Sequence, residues 1–227
     1  MRKLIGYLLI PAVISVPPVI STPATAARPG AMYCGELAGA SYGPFDYVNR
    51  HRLKAELNIV EIAHFTYDVE NLIRGNSSEH IGGDLNYTLH AWPNHHRALV
   101  SLARLSIREK STRLPGFKYP VECYFDRAIR MNATDTRVRS IYGGYLLQRG
   151  RNKEAIEQLE IAVNLEPDNA TALYNLGLLY LKQKKYEKAN EYAQKAYKLD
   201  FPLPGLKNKL ISAGKWKMLP RSTSEAE

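Results

Sequence analysis

Two groups of side chains in the sequence could carry chemistry, and the first is basic. Arg97, Arg104 and Arg108 are spaced i, i+7 and i+11. On an α-helix their side chains therefore point from the axis in the same direction to within about 20°. Guanidinium groups bind carboxylates through two parallel hydrogen bonds. The spacing therefore predicts a stripe suited to an acidic peptide or a free carboxylate, although a solvated helix face has the same pattern.

The second group is histidine-rich and consists of His64, His90, His95 and His96. Imidazoles bind zinc or copper when they converge at about 2.0–2.1 Å with a third or fourth ligand. His95 and His96 would point about 100° apart on a helix, and Pro93 separates His90 from His95. The spacing favours capping and packing. A metal-binding or metal-dependent periplasmic protein that uses these histidines remains the alternative function.

Motifs for catalysis are missing from the sequence. It contains no nucleophile elbow, no phosphate-binding glycine loop before a lysine, and no zinc-protease helix motif. We therefore expect no enzyme and no cofactor.

A repeating pattern of small residues indicates the elements that position these side chains. Gly143 recurs as Gly177, and Ala155 recurs as Ala189, each pair 34 residues apart. Self-similarity at a period of about 20–50 residues is typical of stacked repeats.

A third repeat lies upstream, because Pro93, Ala98 and Leu99 align with Pro167, Ala172 and Leu173. Its second helix begins late, and we assign the six extra residues to a surface loop within 110–120. We expect repeats at about 94–135, 136–169 and 170–203, followed by a capping helix over 205–217.

With this pattern, residues 94–202 resemble the tetratricopeptide repeat family, most clearly over 136–201. The chain departs from the family where Arg139 and Ala193 replace aromatic residues. The resemblance implies an all-α solenoid of helical hairpins, with an irregular N-terminal cap over 28–93 and a C-terminal capping helix. The cap itself only weakly resembles exported bacterial repeat proteins.

The resemblance also implies a partner-binding groove lined by the first helix of each repeat. On this alignment its residues are Arg97, Val100, Arg104, Arg108, Arg137, Tyr174, Asn175, Leu178 and Lys182. Such a groove would be basic at one end and apolar at the other, for a protein or peptide partner with acidic residues. The lysine–asparagine clamp of chaperone-binding members is not present as a set, since only Asn175 matches it.

The N-terminus has the layout of a secretory signal peptide, which we place at 1–27. A basic start is followed by an apolar run, 4–16, and by the small-residue motif Ala24-Thr25-Ala26. We expect no membrane span after cleavage, no nucleic acid partner, and a periplasmic location of the Gram-negative type. Lipidation of Cys34 is disfavoured by bulky Tyr33. Residues 218–227 read as a disordered tail.

Export to an oxidising compartment would determine the state of the cysteines and the place where the protein functions. Cys34 and Cys123 are the only two cysteines, and in an oxidising compartment a disulfide is the simplest arrangement, with two free thiols as the alternative.

The net charge of +9 favours anionic partners, although evenly spread charge gives the same total. We expect a periplasmic scaffold or adaptor in envelope assembly or export; the oligomeric state stays open.

Overall fold

The computed structural model describes residues 33–37 and 42–217, and every regular element within these ranges is helical. The predicted signal peptide and C-terminal tail lie outside them. After a short 3₁₀ turn, Tyr47–Asn49, the helices are α1 (Lys54–His64), α2 (Tyr67–Glu70), α3 (Ile81–Ala91), α4 (His96–Arg108), α5 (Val121–Met131), α6 (Thr136–Gln148), α7 (Asn152–Leu165), α8 (Ala170–Lys182), α9 (Tyr186–Lys198) and α10 (Gly205–Ser212). The all-α prediction is confirmed.

The first helices of the three pairs begin at equivalent caps. His95, Asp135 and Asn169 precede α4, α6 and α8, and each side chain accepts a hydrogen bond from a backbone N–H three residues later. Such caps satisfy N–H groups that have no partner within the helix. His95 occupies the position that the alignment of Pro93 with Pro167 gives it.

Close approach of the helices explains the small residues of the repeat. A Cβ added at Gly143 would lie 2.5 Å from Leu159 Cγ, and one at Gly177 would lie 2.4 Å from Leu206 Cδ2. Leu206 belongs to α10, so the last helix covers the third pair. This helix ends at Ser212, earlier than predicted, and Gly214 follows with φ +64°.

The N-terminal cap contains the three helices α1, α2 and α3. The apolar residues within 57–62 belong to α1. The short helix α2 ends at Glu70, and Leu72 follows with φ 60°. Asp84 lies in the first turn of α3, which begins at Ile81.

The aromatic residues of the cap form a small core of their own. Trp92 is fully buried, with the rings of Phe45 and Tyr47 at 5.0 and 6.1 Å. Val60 of α1 and Ala91 of α3 complete the cluster. It packs the cap onto the start of the first repeat.

The inserted segment between α4 and α5 is partly buried and does not form the free surface loop that the sequence suggested. Leu114 is buried in the main core. Pro115 leaves no room for a Cβ at Gly82 of α3. The backbone N–H of Lys118 donates to Tyr124 Oη at 3.1 Å. The insertion therefore joins the cap to α5.

A disulfide bond joins Cys34 to Cys123, 89 residues apart in sequence. Beside it, guanidinium groups of Arg127 and Arg130 donate to the carbonyls of Glu36 and Gly35. These contacts hold residues 33–37 against α5.

The close approach at Gly143 predicts opposite effects for two neighbouring substitutions. Gly143→Ala should lower the free energy of unfolding by about 1–3 kcal/mol, because the buried Leu159 side chain has to move. Gly144→Ala is the matched control. Its Cβ would meet only the end of the Asn175 side chain, at 3.3 Å, so the better helix former should raise stability by up to about 1 kcal/mol. Urea denaturation of both variants measures this; equal stabilisation would contradict the packing.

Removing the disulfide should destabilise the fold strongly. The double variant Cys34→Ser/Cys123→Ser should lose up to about 4 kcal/mol, because the unfolded chain regains the entropy of a long loop. Denaturant midpoints of the two proteins give the difference. A thiol count on unfolded, unreduced protein provides the control, and two reactive thiols in it would mean that the bond does not form.

Candidate functional site

A cavity of about 620 Å³ opens over the N-terminal halves of α4, α6 and α8. These helices lie side by side, since α4 packs on α6 and α6 packs on α8. The cavity is lined by Glu70, His96, Arg97, Val100, Ser101, Arg104, Arg137, Ser140, Ile141, Glu166, Asp168, Asn169, Ala170 and Thr171. Four residues of the predicted groove, Arg97, Val100, Arg104 and Arg137, are thus brought together.

Arg97 is already paired within the protein. Its Nε donates to Glu70 Oε1 at 2.7 Å, and Nη2 donates to the other oxygen of the same carboxylate. The hydrogen bond to Arg97 lowers the pKa of Glu70 below its ordinary value. Glu61 lies 3.5 Å from Arg97 Nη1. The first arginine of the stripe is therefore occupied by two carboxylates from the cap.

Arg104 and Arg137 are the available cations of the cavity. Both are exposed, and within the described ranges neither side chain makes a hydrogen bond or an ion pair. Arg137 lies in the first turn of α6, where the helix dipole also favours negative charge. Asp168 is exposed at the same cavity, so a ligand would meet one acidic group at the rim.

The floor of the cavity is polar but internally satisfied. Ser101 Oγ donates to the Glu70 carbonyl, and Ser140 Oγ donates to the Thr136 carbonyl, both at 2.8 Å. Val100 and Ile141 supply apolar surface beside them. A ligand could therefore place a carboxylate on the free arginines and an apolar group between α4 and α6.

Arg108, the third arginine of the stripe, lies outside this cavity. Its Nη1 donates to the Leu72 carbonyl at 3.0 Å, and its Nε pairs with Glu109 at 3.0 Å. It lines a smaller depression of about 320 Å³ together with Arg104 and Gln148. The segment after α2 therefore covers the far end of the stripe.

The predicted apolar end of the groove does not line the main cavity. Tyr174 is buried, and its ring stacks on Phe201 at 4.3 Å, because the connection between α9 and α10 packs against it. Asn175 lies against Gly144, and Leu178 is half-buried against the core. Lys182 is exposed and donates to Asn152 Oδ1 at 3.4 Å. Of these four predicted residues on α8, only Lys182 is exposed.

The four histidines are distributed over separate partners. His64, His95 and His96 bond to Asp84, Glu61 and Asp135 at 2.8, 3.0 and 2.8 Å. His90 Nδ1 lies 2.8 Å from the Asn86 carbonyl. Within 33–37 and 42–217, no three side chains of histidine, cysteine, aspartate or glutamate are placed to hold a metal ion. The structure does not bring these histidines together as the metal hypothesis requires.

A buried polar network, which no local sequence pattern indicates, joins the cap to the first two repeats. Asn94 Nδ2 donates to Asp46 Oδ1 at 2.6 Å and to Asp135 Oδ2 at 3.0 Å. Asp135 also accepts from His96, which lines the cavity. Burial opposes charge on Asp135, but the hydrogen bonds from His96 and Asn94 lower its pKa overall. The network fixes one wall of the cavity.

Two contacts fix the tautomer of the neutral His95 side chain. Its Nδ1 accepts the backbone N–H of Ala98 at 3.2 Å, so the proton lies on Nε2, which donates to Glu61 at 3.0 Å. The side chain is fully buried, and burial lowers its pKa. Protonation of Nδ1 would remove the cap of α4.

Comparison with protein families identifies the repeat. A model described as TPR repeat matches residues 145–184, and one described as tetratricopeptide repeat matches 170–201. Residues 145–201 therefore contain tetratricopeptide repeats. Repeats of this kind bind protein or peptide partners and are in general non-catalytic.

One curated relative and two solved structures show the extent of the similarity. The chain is 30% identical over 137 residues to the type IV pilus assembly protein PilF of Pseudomonas aeruginosa, and it spans about half (52%) of that protein. A solved Pseudomonas aeruginosa PilF structure matches with a TM-score of 0.51 and 22% identity, over 73% of this chain and 71% of that one. YrrB, described as a TPR protein with an unusual peptide-binding site, matches at 21% identity over 74% and 86% of the two chains, with a TM-score of 0.47.

Within the part of the chain that the structure describes, no helix is long and apolar enough to cross a lipid bilayer.

The neutral state of His95 predicts a loss of stability in mild acid. The unfolded chain binds a proton below about pH 6.5 that the folded state does not, so stability falls as pH decreases from about 7.5 to 5. The slope is at most about 1.4 kcal/mol per pH unit for this group. His95→Asn retains a cap like that of Asn169 and should flatten the slope, measured by denaturant unfolding at several pH values. His51→Asn, at an exposed site, is the control; an unchanged slope in His95→Asn would contradict the assignment.

Proposed function

We propose that the protein is an exported adaptor of the cell envelope whose cavity over α4, α6 and α8 binds an extended, acidic peptide segment of a partner protein. One observation carries the proposal: Arg104 and Arg137 face the same cavity with no counter-ion bonded to them in the described ranges. Two unpaired guanidinium groups on adjacent repeats favour a ligand that supplies carboxylates.

The dimensions of the cavity suit a peptide. A volume of about 620 Å³ is in the range of sites that bind small ligands or several side chains of a peptide. Arg104 and Arg137 come from different helices, so a carboxylate that contacts both would be fixed in orientation. Val100, which is 40% exposed, and Ile141 offer an apolar contact beside them.

Three observations support a location in the envelope. Residues 1–27 have the order of a secretory signal peptide. The bond between Cys34 and Cys123 is of a kind that persists in oxidising compartments. The relative from Pseudomonas aeruginosa is named for type IV pilus assembly, and by this relation we propose that the partner belongs to an envelope assembly or export system.

The proposal predicts binding that depends on both the arginines and the acidic groups. A fluorescent library of unstructured peptides rich in aspartate and glutamate should bind, and the same library with asparagine and glutamine should not. Arg104→Glu or Arg137→Glu should weaken binding at least about tenfold, because a charge-assisted hydrogen bond is replaced by repulsion. Fluorescence anisotropy measures the affinity.

A matched control separates the cavity from overall charge. Arg113→Glu makes the same change at an exposed position outside the cavity and should bind as the unchanged protein does. Equal affinity for the two libraries, or an equal loss in Arg113→Glu, would remove the proposal. Circular dichroism establishes that each variant keeps its helical content.

A further inference from the structure

The net charge of the described chain is confined to its C-terminal end. Residues 33–181 contain 17 basic and 17 acidic side chains, whereas residues 182–217 contain ten lysines and three acidic residues. The excess of about seven charges therefore comes from one sixth of the sequence. An even spread of charge, the alternative that the sequence left open, does not describe this protein.

We call this region, residues 182–217, the lysine end. Its ten lysines are all exposed, and they lie at the end of α8, on the turn before α9, on α9 and α10, and on the segment after α10. Lys195 pairs with Glu191 at 2.7 Å. Lys207 and Lys215 extend over the rings of Trp216 and Tyr186 at 5.3 and 5.4 Å. With three acidic residues against ten lysines, most of this charge is not neutralised within the region.

The choice of cation also differs between the two parts of the chain. Residues 33–181 contain 13 arginines and four lysines, and residues 182–217 contain no arginine. Arginine suits bidentate contacts of fixed geometry, such as that of Arg97 with Glu70. Lysine is a hydrated point charge on a flexible stem. A run of lysines suits a surface with many mobile anionic groups more than a ligand of fixed geometry.

Apolar side chains lie exposed among these lysines. Leu203 and Ile211 are 55% and 52% exposed. Lys207 and Ile211 are one turn apart on α10 and share a side of that helix, while Leu206 and Leu210 face the core. Exposed aliphatic groups next to lysines are typical of protein surfaces that bind at the boundary between lipid headgroups and acyl chains. A soluble polyanion would gain nothing from them.

We propose that the lysine end docks on an anionic lipid surface, with α10 and the segment after it in contact with the headgroups. Each lysine near such a surface adds attraction, and Leu203 and Ile211 add burial of apolar area. The site is separate from the cavity over α4, α6 and α8, so it would let the protein bind a peptide partner while held at a membrane.

The test uses sedimentation of the purified protein with lipid vesicles. Vesicles of phosphatidylcholine with about 30% phosphatidylglycerol should bind it, and pure phosphatidylcholine should not. The variant Lys207→Glu/Lys209→Glu/Lys215→Glu should lose at least about tenfold in partitioning. The control Lys54→Glu/Lys110→Glu/Lys153→Glu changes the net charge equally at exposed lysines elsewhere and should keep most of the binding.

A further variant and a further ligand separate lipid from other anions and from self-association. Ile211→Ser should weaken vesicle binding several-fold while leaving retention on a heparin column unchanged. The proposal is overturned if both triple variants lose binding equally, or if the protein binds heparin but no anionic vesicle. It is also overturned if the variants alter only the oligomeric state measured by sedimentation velocity. Peptide binding by the cavity is measured separately and does not affect this outcome.

Discussion

The stacking of the array depends on how closely its helices approach one another. Gly143 leaves room for Leu159, and Gly177 leaves room for Leu206. A single helical pair would expose one apolar face to water, so each pair is stabilised by its neighbour. The array must then be closed at both ends. The helix α10 closes one end, and the cap built around Trp92 lies at the other.

This dependence explains which parts of the fold could be predicted. Small residues at a period of 34 mark the helix contacts of the second and third pairs, and the alignment of 93–99 with 167–173 adds the first pair. The cap has no period. In α1, Ile59 and Ile62 are exposed although Val60 is buried, so apolar residues on several faces conceal the helix. Asp84 accepts backbone N–H groups of 76–78, and in sequence such a carboxylate resembles a helix cap.

The part of the candidate site that lies on a single helix could be predicted from the sequence. The spacing of Arg97 and Arg104 places both on the cavity side of α4. Their partners come from distant segments: Glu70 bonds to Arg97 across 27 residues, and Asp135 bonds to His96 across 39. No local pattern encodes such pairs. The role of Tyr174 was missed for a similar reason, since it depends on where the chain turns after α9.

Because Glu70 already binds Arg97, its carboxylate competes with any ligand carboxylate for that guanidinium group. A carboxylate that approaches Arg97 has to displace one that is tethered nearby at a high effective concentration. Weak, singly charged anions from solution would therefore be excluded from that arginine. A ligand with several acidic groups could first occupy Arg104 and Arg137 and then exchange with Glu70.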